Sequence, residues 1–378
     1  MKAVIAAYAR SPFHFAKKGA LTEVRPDTLA AQVVRGLLDR TQLDPKLLED
    51  VIVGCAFPEA AQGNNVARII SFLAGIPNEV SAMTVNRFCG SSMSAIHIAA
   101  AQLEAGAGDA FLCAGVESMS MVPQGGFNFS PNMALFERFP AAYITMGETA
   151  ENVASRRSVS RADQEALAYA SHRKAATARE QGKLRNEIVP ITLPNGQVVD
   201  ADGCIRPNTT IAALAGLKPA FRPDGVVTAG TSSPLTDGAS AVLVTTEEFA
   251  ARHGLTPLAR IRSFASAGCD PSEMGMGPVP ATRKALVRAG LSVRDLDLVE
   301  INEAFASQAL ACVRELGLDE SKINLDGGGI ALGHPLGATG ARITGKAASL
   351  LVREGARYAL STQCIGGGQG VATVLEAM

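Results

Sequence analysis

Four loops in this chain carry residue types that do chemistry in combination. Cys89 lies in NRFCGSSMSA (86–95), where the pattern predicts a helix over 92–106 and leaves the thiol at its mouth with only small side chains after it. A helix N-terminus offers unpaired N–H groups and the positive end of its dipole, both of which favour a thiolate. Free cysteines are more often inert core fillers, so placement is what singles this one out. His334, in GHPLGATG (333–340), stands in a loop just before another predicted helix. A thiol nucleophile needs a base near neutral pH, and imidazole is the usual one. Cys364, in CIGGGQG (364–370), ends an apolar run and precedes three glycines whose backbone N–H groups can approach a ligand closely. Such amides suit an oxyanion that develops during acyl transfer; read alone, the stretch equally fits a tight strand exit with a buried thiol. Asn302, beside Glu303 in INEAF (301–305), sits at a predicted strand C-terminus, the usual ligand edge of α/β sheets. An amide there can orient water or donate to an oxyanion. GARITGKA (340–347) nearly spells a phosphate loop, but Ala347 stands where Ser or Thr should hold magnesium and the stretch is helical in pattern.

The elements that must position these loops alternate in the α/β manner. EDVIVGCAF (49–57), DAFLCAGVE (109–117), LDLVEINEAF (296–305) and RYALSTQC (357–364) read as buried strands and their exits. TLAAQVVRGLLDR (28–40), SMSAIHIAAAQLEAG (92–106), PATRKALVRAG (280–290) and AFASQALACVRELG (304–317) read as helices, and MKAVIAAYARSP as a first buried strand. A shift of 248 residues lays Leu38 on Leu286, Val51 on Val299, Ala56-Phe57 on Ala304-Phe305 and Leu112 on Leu360, without a gap from about 28 to 116. A constant offset through three elements indicates a duplicated unit. The same shift lays Cys89 on Gly337 and Asn86 on His334, so two helix mouths would converge on one pocket if the halves pack about a pseudo-twofold axis. Between them lies a loop-rich stretch with a polar helix, SRADQEALAYASHRKAATAREQG, and loops of this length usually shape a binding site. The expected division is 1–116 plus 234–257 for the first half, 117–233 for an inserted loop domain, and 258–378 for the second half.

Bulk properties exclude several function classes. With 378 residues, 47% hydrophobic and 37 glycines, the composition is that of a folded α/β protein. A net charge of −1 and the absence of Trp argue against a nucleic-acid partner. No run approaches the ~20 apolar residues of a membrane span, and no segment reads as a secretory or peroxisomal address. Seven cysteines without a C-x-x-C pair suit free thiols in a reducing cytosol. Five histidines show no ligand spacing to them, so no metal is expected.

Taken together, and in this order, NRFCGSSMSA, NEAFA, GHPLGATGAR and CIGGGQG strongly resemble the thiolase family. RSPF near the start, MGETAENVA (146–154), VTAGTSSPLTDGA (227–239) and MGMGPVPATRKAL (274–286) extend the resemblance over essentially the whole chain. It is greatest to the degradative branch, the 3-ketoacyl-CoA thiolases. The resemblance implies a five-layered fold of two duplicated α/β halves with an inserted loop domain over the coenzyme A site. It implies no metal or organic cofactor, with coenzyme A as co-substrate. Cys89 would attack a 3-ketoacyl-CoA and carry the acyl group, His334 would take its proton, and Cys364 would protonate the departing acetyl-CoA enolate. One oxyanion site would use His334 with a water held by Asn302; the other would use the backbone N–H groups of Cys89 and Gly366. Ser233 matches a position that contacts the pantetheine arm, and Met146, Met274 and Phe305 would line the acyl end.

Two departures stand out. RSPFHFAKKG has His14 and Phe15 where the family carries a small, Gly-containing turn, and Thr145 stands where short-chain biosynthetic members place a histidine. The second favours a longer or broader acyl range over an acetyl-CoA C-acetyltransferase forming acetoacetyl-CoA, the nearest rival. A non-catalytic acyl-CoA-binding protein of the same fold has no need for two cysteines, a histidine and an asparagine in these loops. Family resemblance further implies a homodimer or homotetramer. No residue signals a β-oxidation partner subunit bearing hydratase and dehydrogenase activities.

Overall fold

Burial along the strands explains the architecture. Val4, Ile5, Val51, Ile52, Leu112, Val242, Val244, Leu360 and Val374 are all inaccessible to solvent, so the central strands need cover on both faces. The computed structural model describes residues 2–378. The first half comprises β1 (Ala3–Arg10), β2 (His14–Phe15), α1 (Pro26–Thr41), β3 (Asp50–Gly54), α2 (Val66–Ala74), β4 (Ser81–Val85), α3 (Ser91–Glu104) and β5 (Ala110–Ser118). Next come α4 (Met133–Arg138), α5 (Met146–Arg156), α6 (Arg161–Glu180), β6 (Ile191–Thr192), β7 (Val198–Val199) and α7 (Ile211–Ala215). The chain then returns through β8 (Thr236–Thr246) and α8 (Glu247–Arg252). The second half comprises β9 (Ala259–Gly268), α9 (Pro278–Ala289), β10 (Leu298–Ile301), α10 (Ala306–Leu316), α11 (Gly329–Leu332), α12 (Leu336–Glu354), β11 (Tyr358–Ile365) and β12 (Gln369–Glu376).

Nine strands form one path, β10-β11-β12-β9-β1-β8-β5-β3-β4, joined at its middle only by Val4 with Arg260 and Ile5 with Ala259. Each side of that seam is a mixed sheet of the same design, parallel at the outer strands and antiparallel toward the seam. One cluster of buried side chains packs α1 and α2 on the first sheet, and another packs α9 and α10 on the second. A third, from α3 and α12, fills the space between the sheets. Helix, sheet, helix pair, sheet and helix give five layers.

The 248-residue offset holds where it was strongest and fails in between. It carries β3 onto β10, the short 3-10 turn Pro45–Leu47 onto Val293–Asp295, and β5 onto β11. Within the interval read as gapless, however, β4 falls on α11, and α2 is out of step with α10. In the second half the counterpart of β4 is reduced to one parallel bridge, Ile323 beside Val299 on β10, earlier in the sequence than the offset places it. A helical turn at 329–332 takes that place and leads straight to His334.

Candidate active site

The Cys89 and Asn302 loops each leave a strand and enter a helix, the His334 loop joins α11 to α12, and the Cys364 loop is the hairpin between β11 and β12. After β4 the chain turns at Asn86, whose side chain donates to the Ala56 carbonyl at 3.0 Å and accepts from Phe88 N–H at 2.8 Å. Phe88 adopts φ +43°, the left-handed region that non-glycine residues rarely occupy. Ser91 holds it there by accepting from Arg87 N–H at 2.9 Å and donating to the Phe88 carbonyl at 2.6 Å. The result is a sharp elbow that presents Cys89 just ahead of α3. Gln363, next to Cys364 on β11, donates its side-chain amide to the Cys89 carbonyl.

Cys89 is half-buried, and the backbone N–H groups of Gly366 and of Cys89 itself lie close enough to its sulfur to favour the thiolate. These are the two amides expected to serve an oxyanion. The helix was expected to favour the thiolate; instead burial dominates, the two N–H groups offset it only partly, and the thiol is pushed up to about 11. Helix α3 begins at Ser91 with Gly90 as its N-cap, so Cys89 lies outside the first turn where the dipole acts.

His334 is 5% exposed and lies between Gly333, at φ +107°, and the start of α12. Its backbone N–H donates to Thr236 Oγ1 at 3.0 Å, and its Nδ1 is 2.6 Å from Thr339 Oγ1. The Thr339 hydroxyl donates its one proton to the Pro335 carbonyl at 3.0 Å. Nδ1 must then carry the hydrogen, which leaves Nε2 as a bare lone pair. Among the described residues no group pairs that buried Nε2. Burial, and secondarily the Arg342 cation, lowers His334 to about 3. The resting groups are thus a thiol and a neutral imidazole rather than an ion pair.

Asn302, just past β10, is fully buried, and neither its amide nitrogen nor its oxygen meets a protein partner. A buried amide with both ends free is poised for a water or a substrate oxygen. Its neighbour Glu303 is committed elsewhere: it accepts from Ser171 Oγ at 2.6 Å, Asn324 Nδ2 at 2.8 Å and Ile330 N–H at 3.2 Å. Glu303 therefore holds α6 and the turn into α11 in place and offers nothing to a ligand.

Cys364 is 1% exposed and packs with Met274, Ala304 and Phe305, with Met146 beside them. Burial first, and Cys89 second, push its thiol well above the usual range. The three residues expected at the acyl end thus line one apolar cluster with the second thiol. Met146 Sδ also borders Gly366, where an added Cβ would come within 3.6 Å of it. Ser233 sits at the end of the inserted segment, with its N–H and hydroxyl donating to the Ala304 carbonyl at 2.9 and 3.0 Å. This ties the TSSP loop to the NEAF turn. Leu336, two residues beyond His334, packs in the same small cluster as Cys89, Ala56 and Met119. Among the described residues no group of three or more His, Cys, Asp or Glu side chains could hold a metal ion.

Thr339, Gln363 and the Phe88 elbow were not foreseen. Only Thr339 left a readable trace: a hydroxyl one turn into a helix that follows a histidine.

Comparison with known proteins gives the family and the fold. Models described as "Thiolase, N-terminal domain" and "Thiolase, C-terminal domain" match residues 3–248 and 255–377. The chain is 51% identical over 385 residues to a 3-ketoacyl-CoA thiolase of Shewanella frigidimarina, covering 99% of each. To one of Bacillus subtilis it is 47% identical over 387 residues, again covering 99% of each. The crystal structure of human mitochondrial 3-ketoacyl-CoA thiolase superposes with a TM-score of 0.92 at 38% identity, over 100% of this chain and 98% of that one.

Proposed function

From the premise that this chain belongs to the thiolase family, we propose that it cleaves 3-ketoacyl-CoA with coenzyme A, giving acetyl-CoA and a shortened acyl-CoA through an acyl-Cys89 intermediate. The observation that carries the residue assignment is the Cys89 sulfur facing two backbone N–H groups, with a second thiol, a bare imidazole nitrogen and an unpartnered amide in the adjoining loops.

The chemistry divides among these groups. His334 Nε2 takes the Cys89 proton as the sulfur attacks the 3-keto carbon. The oxygen on that carbon gains negative charge, and the N–H groups of Cys89 and Gly366 receive it. The bond between the second and third carbons then breaks. Its electron pair leaves as the acetyl-CoA enolate, whose oxygen is met by His334 Nε2–H and a water held by Asn302, and Cys364 protonates the carbon. The Cys364 thiolate takes the proton of the incoming coenzyme A, whose sulfur attacks the acyl-Cys89 thioester. His334 returns the proton to Cys89 and the cycle closes. No step calls for a metal or an organic cofactor.

A thiol near 11 beside an imidazole near 3 keeps Cys89 protonated until substrate is in place, which protects it from stray electrophiles. Met146, Met274 and Phe305 form the acyl wall, and Ser233 faces the pantetheine arm. The open sheet edge at β4 supports assembly into a homodimer or homotetramer, and chemistry that depends on two free thiols suits a reducing cytoplasm. No helix of the described residues is long and apolar enough to cross a membrane.

The test is a thiolysis assay over 3-ketoacyl-CoAs of increasing chain length. Coenzyme A-dependent loss of substrate is expected, with Cys89→Ala inactive at every length. Normal turnover by Cys89→Ala would refute the reading.

A further inference from the structure

One buried charge has no place in this mechanism. Glu117, on β5, is inaccessible to solvent, and none of the ion pairs among the described residues includes it. Its Oε2 accepts from Ala56 N–H at 2.8 Å and Gly337 N–H at 2.9 Å. Its Oε1 accepts from Gln62 Nε2 at 2.8 Å and Phe57 N–H at 3.2 Å, and the Cys55 thiol points to it at 3.7 Å. Every neighbour is a donor, so a carboxylic acid proton here would have no acceptor. Burial raises the carboxyl's pKa, yet these donors hold the group as a carboxylate. It is a buried anion with no cation of its own, which is costly unless it has a use.

Its position suggests the use. The bonded groups come from both halves: the β3 exit at 55–57 on one side, and the first turn of α12, three residues past His334, on the other. Ala56 and Leu336, which flank these contacts, are the side chains on which Cys89 packs. We propose that Glu117 is a positioning residue for Cys89, locking the β3 exit to the head of α12 and setting a fixed negative charge against early loss of the nucleophile's proton. The titratable groups that this charge acts on are Cys55 at the β3 exit and Cys89 ahead of α3, while the charge that acts on His334 is the Arg342 cation. The assignment rests on Cys89 being the nucleophile.

The experiment follows the pH dependence of iodoacetamide alkylation of Cys89 by peptide mass mapping, with brief exposures carried far enough above its raised pKa to bracket the midpoint, together with thiolysis, in the wild type, Glu117→Gln and Glu117→Asp. Loss of the charge in Glu117→Gln is expected to lower the alkylation midpoint by about one pH unit, while kcat/KM falls about tenfold or more. Loosened packing alone would change the rate but not the midpoint. Glu117→Asp keeps the charge on a shorter arm, so its midpoint stays near the wild-type value while turnover drops. An unmoved or raised midpoint in Glu117→Gln, or wild-type turnover in it, overturns the proposal. If Glu117→Gln does not fold, a midpoint lowered by a full unit in Glu117→Asp overturns it instead. Thiolysis by Cys89→Ala would refute the nucleophile assignment separately, since the midpoint shift remains readable without it.

Discussion

At the residue scale, the proton that matters first is the one on His334 Nδ1. Thr339 holds it there by spending its own hydrogen on the Pro335 carbonyl, which leaves Nε2 free to act as the base. Replacing Thr339 by Val keeps the volume and removes the acceptor. An unpaired buried N–H costs about 1–3 kcal/mol, so kcat should fall roughly 10- to 100-fold with KM little changed, and Thr339→Ser should restore most of it. Steady-state kinetics of the two variants decide; a Thr339→Val kcat within twofold of wild type would dismiss the tautomer argument. Alkylation offers a second residue-level check. Cys89 and Cys269 are the two half-buried thiols and the other five are buried, so accessibility rather than a helix dipole makes Cys89 a first target. Brief iodoacetamide labelling should mark Cys89 well before Cys364. Cys89, His334, Cys364 and Asn302, the proposed nucleophile, base, second thiol and amide, were singled out because each stands in a short run of unusual composition. Gln363 and Glu117 were not, since their partners lie far off in sequence, while Thr339 left only the trace of a hydroxyl five residues past the histidine. Gln363 meets a carbonyl 274 residues away, and Glu117 an amide 220 residues away.

At the element scale, the site depends on how closely α12 approaches its neighbours. An added Cβ on Gly340 would lie 2.3 Å from Met93 N on α3, and one on Gly337 2.5 Å from the Val116 carbonyl on β5. Backbone stands in the way at both places, so no side-chain shift relieves the clash. Gly340→Ala should destabilise the fold by roughly 1–3 kcal/mol and pull His334 off its line. Chemical denaturation alongside kcat measures both effects, and an unchanged midpoint would contradict the packing described. Helix and strand periods were readable because the apolar runs are long and Gly-bounded. The overlay of the halves was readable at β3/β10 and β5/β11, where buried strands impose the same pattern. It failed across 57–88, where the first half spends its residues on an edge strand and the second on the turn into His334. An apolar rhythm does not distinguish those two uses.

At the scale of the whole molecule, buried charge ties the inserted segment to both halves. Arg10 on β1 pairs with Glu187 and Asp202, while Lys346 on α12 pairs with Glu187 and Asp326. Nothing local in the sequence announced this network. Buried histidines set the acid limit of the fold. His97 and His334 are lowered to about 3 and His172 to about 4, in each case chiefly by burial. Between these values and 6.5 the unfolded chain binds protons that the folded chain refuses, so stability falls as pH drops through that window and is level above it. Each histidine contributes a slope of up to about 1.4 kcal/mol per pH unit. Tm should therefore decline steeply from pH 6.5 to 4.5, and His97→Gln, the change furthest from the chemistry, should flatten the decline; a Tm constant over that range would contradict the neutral, buried imidazoles. All of this framework serves one covalent event. The direct measurement is peptide mass analysis of protein quenched after mixing with a medium-chain 3-ketoacyl-CoA in the absence of added coenzyme A. An acyl group two carbons shorter than the substrate's, found on the Cys89 peptide and absent from Cys89→Ala, is the predicted result. Acylation of Cys364 instead, or full thiolysis with no acyl group on Cys89, would contradict the account.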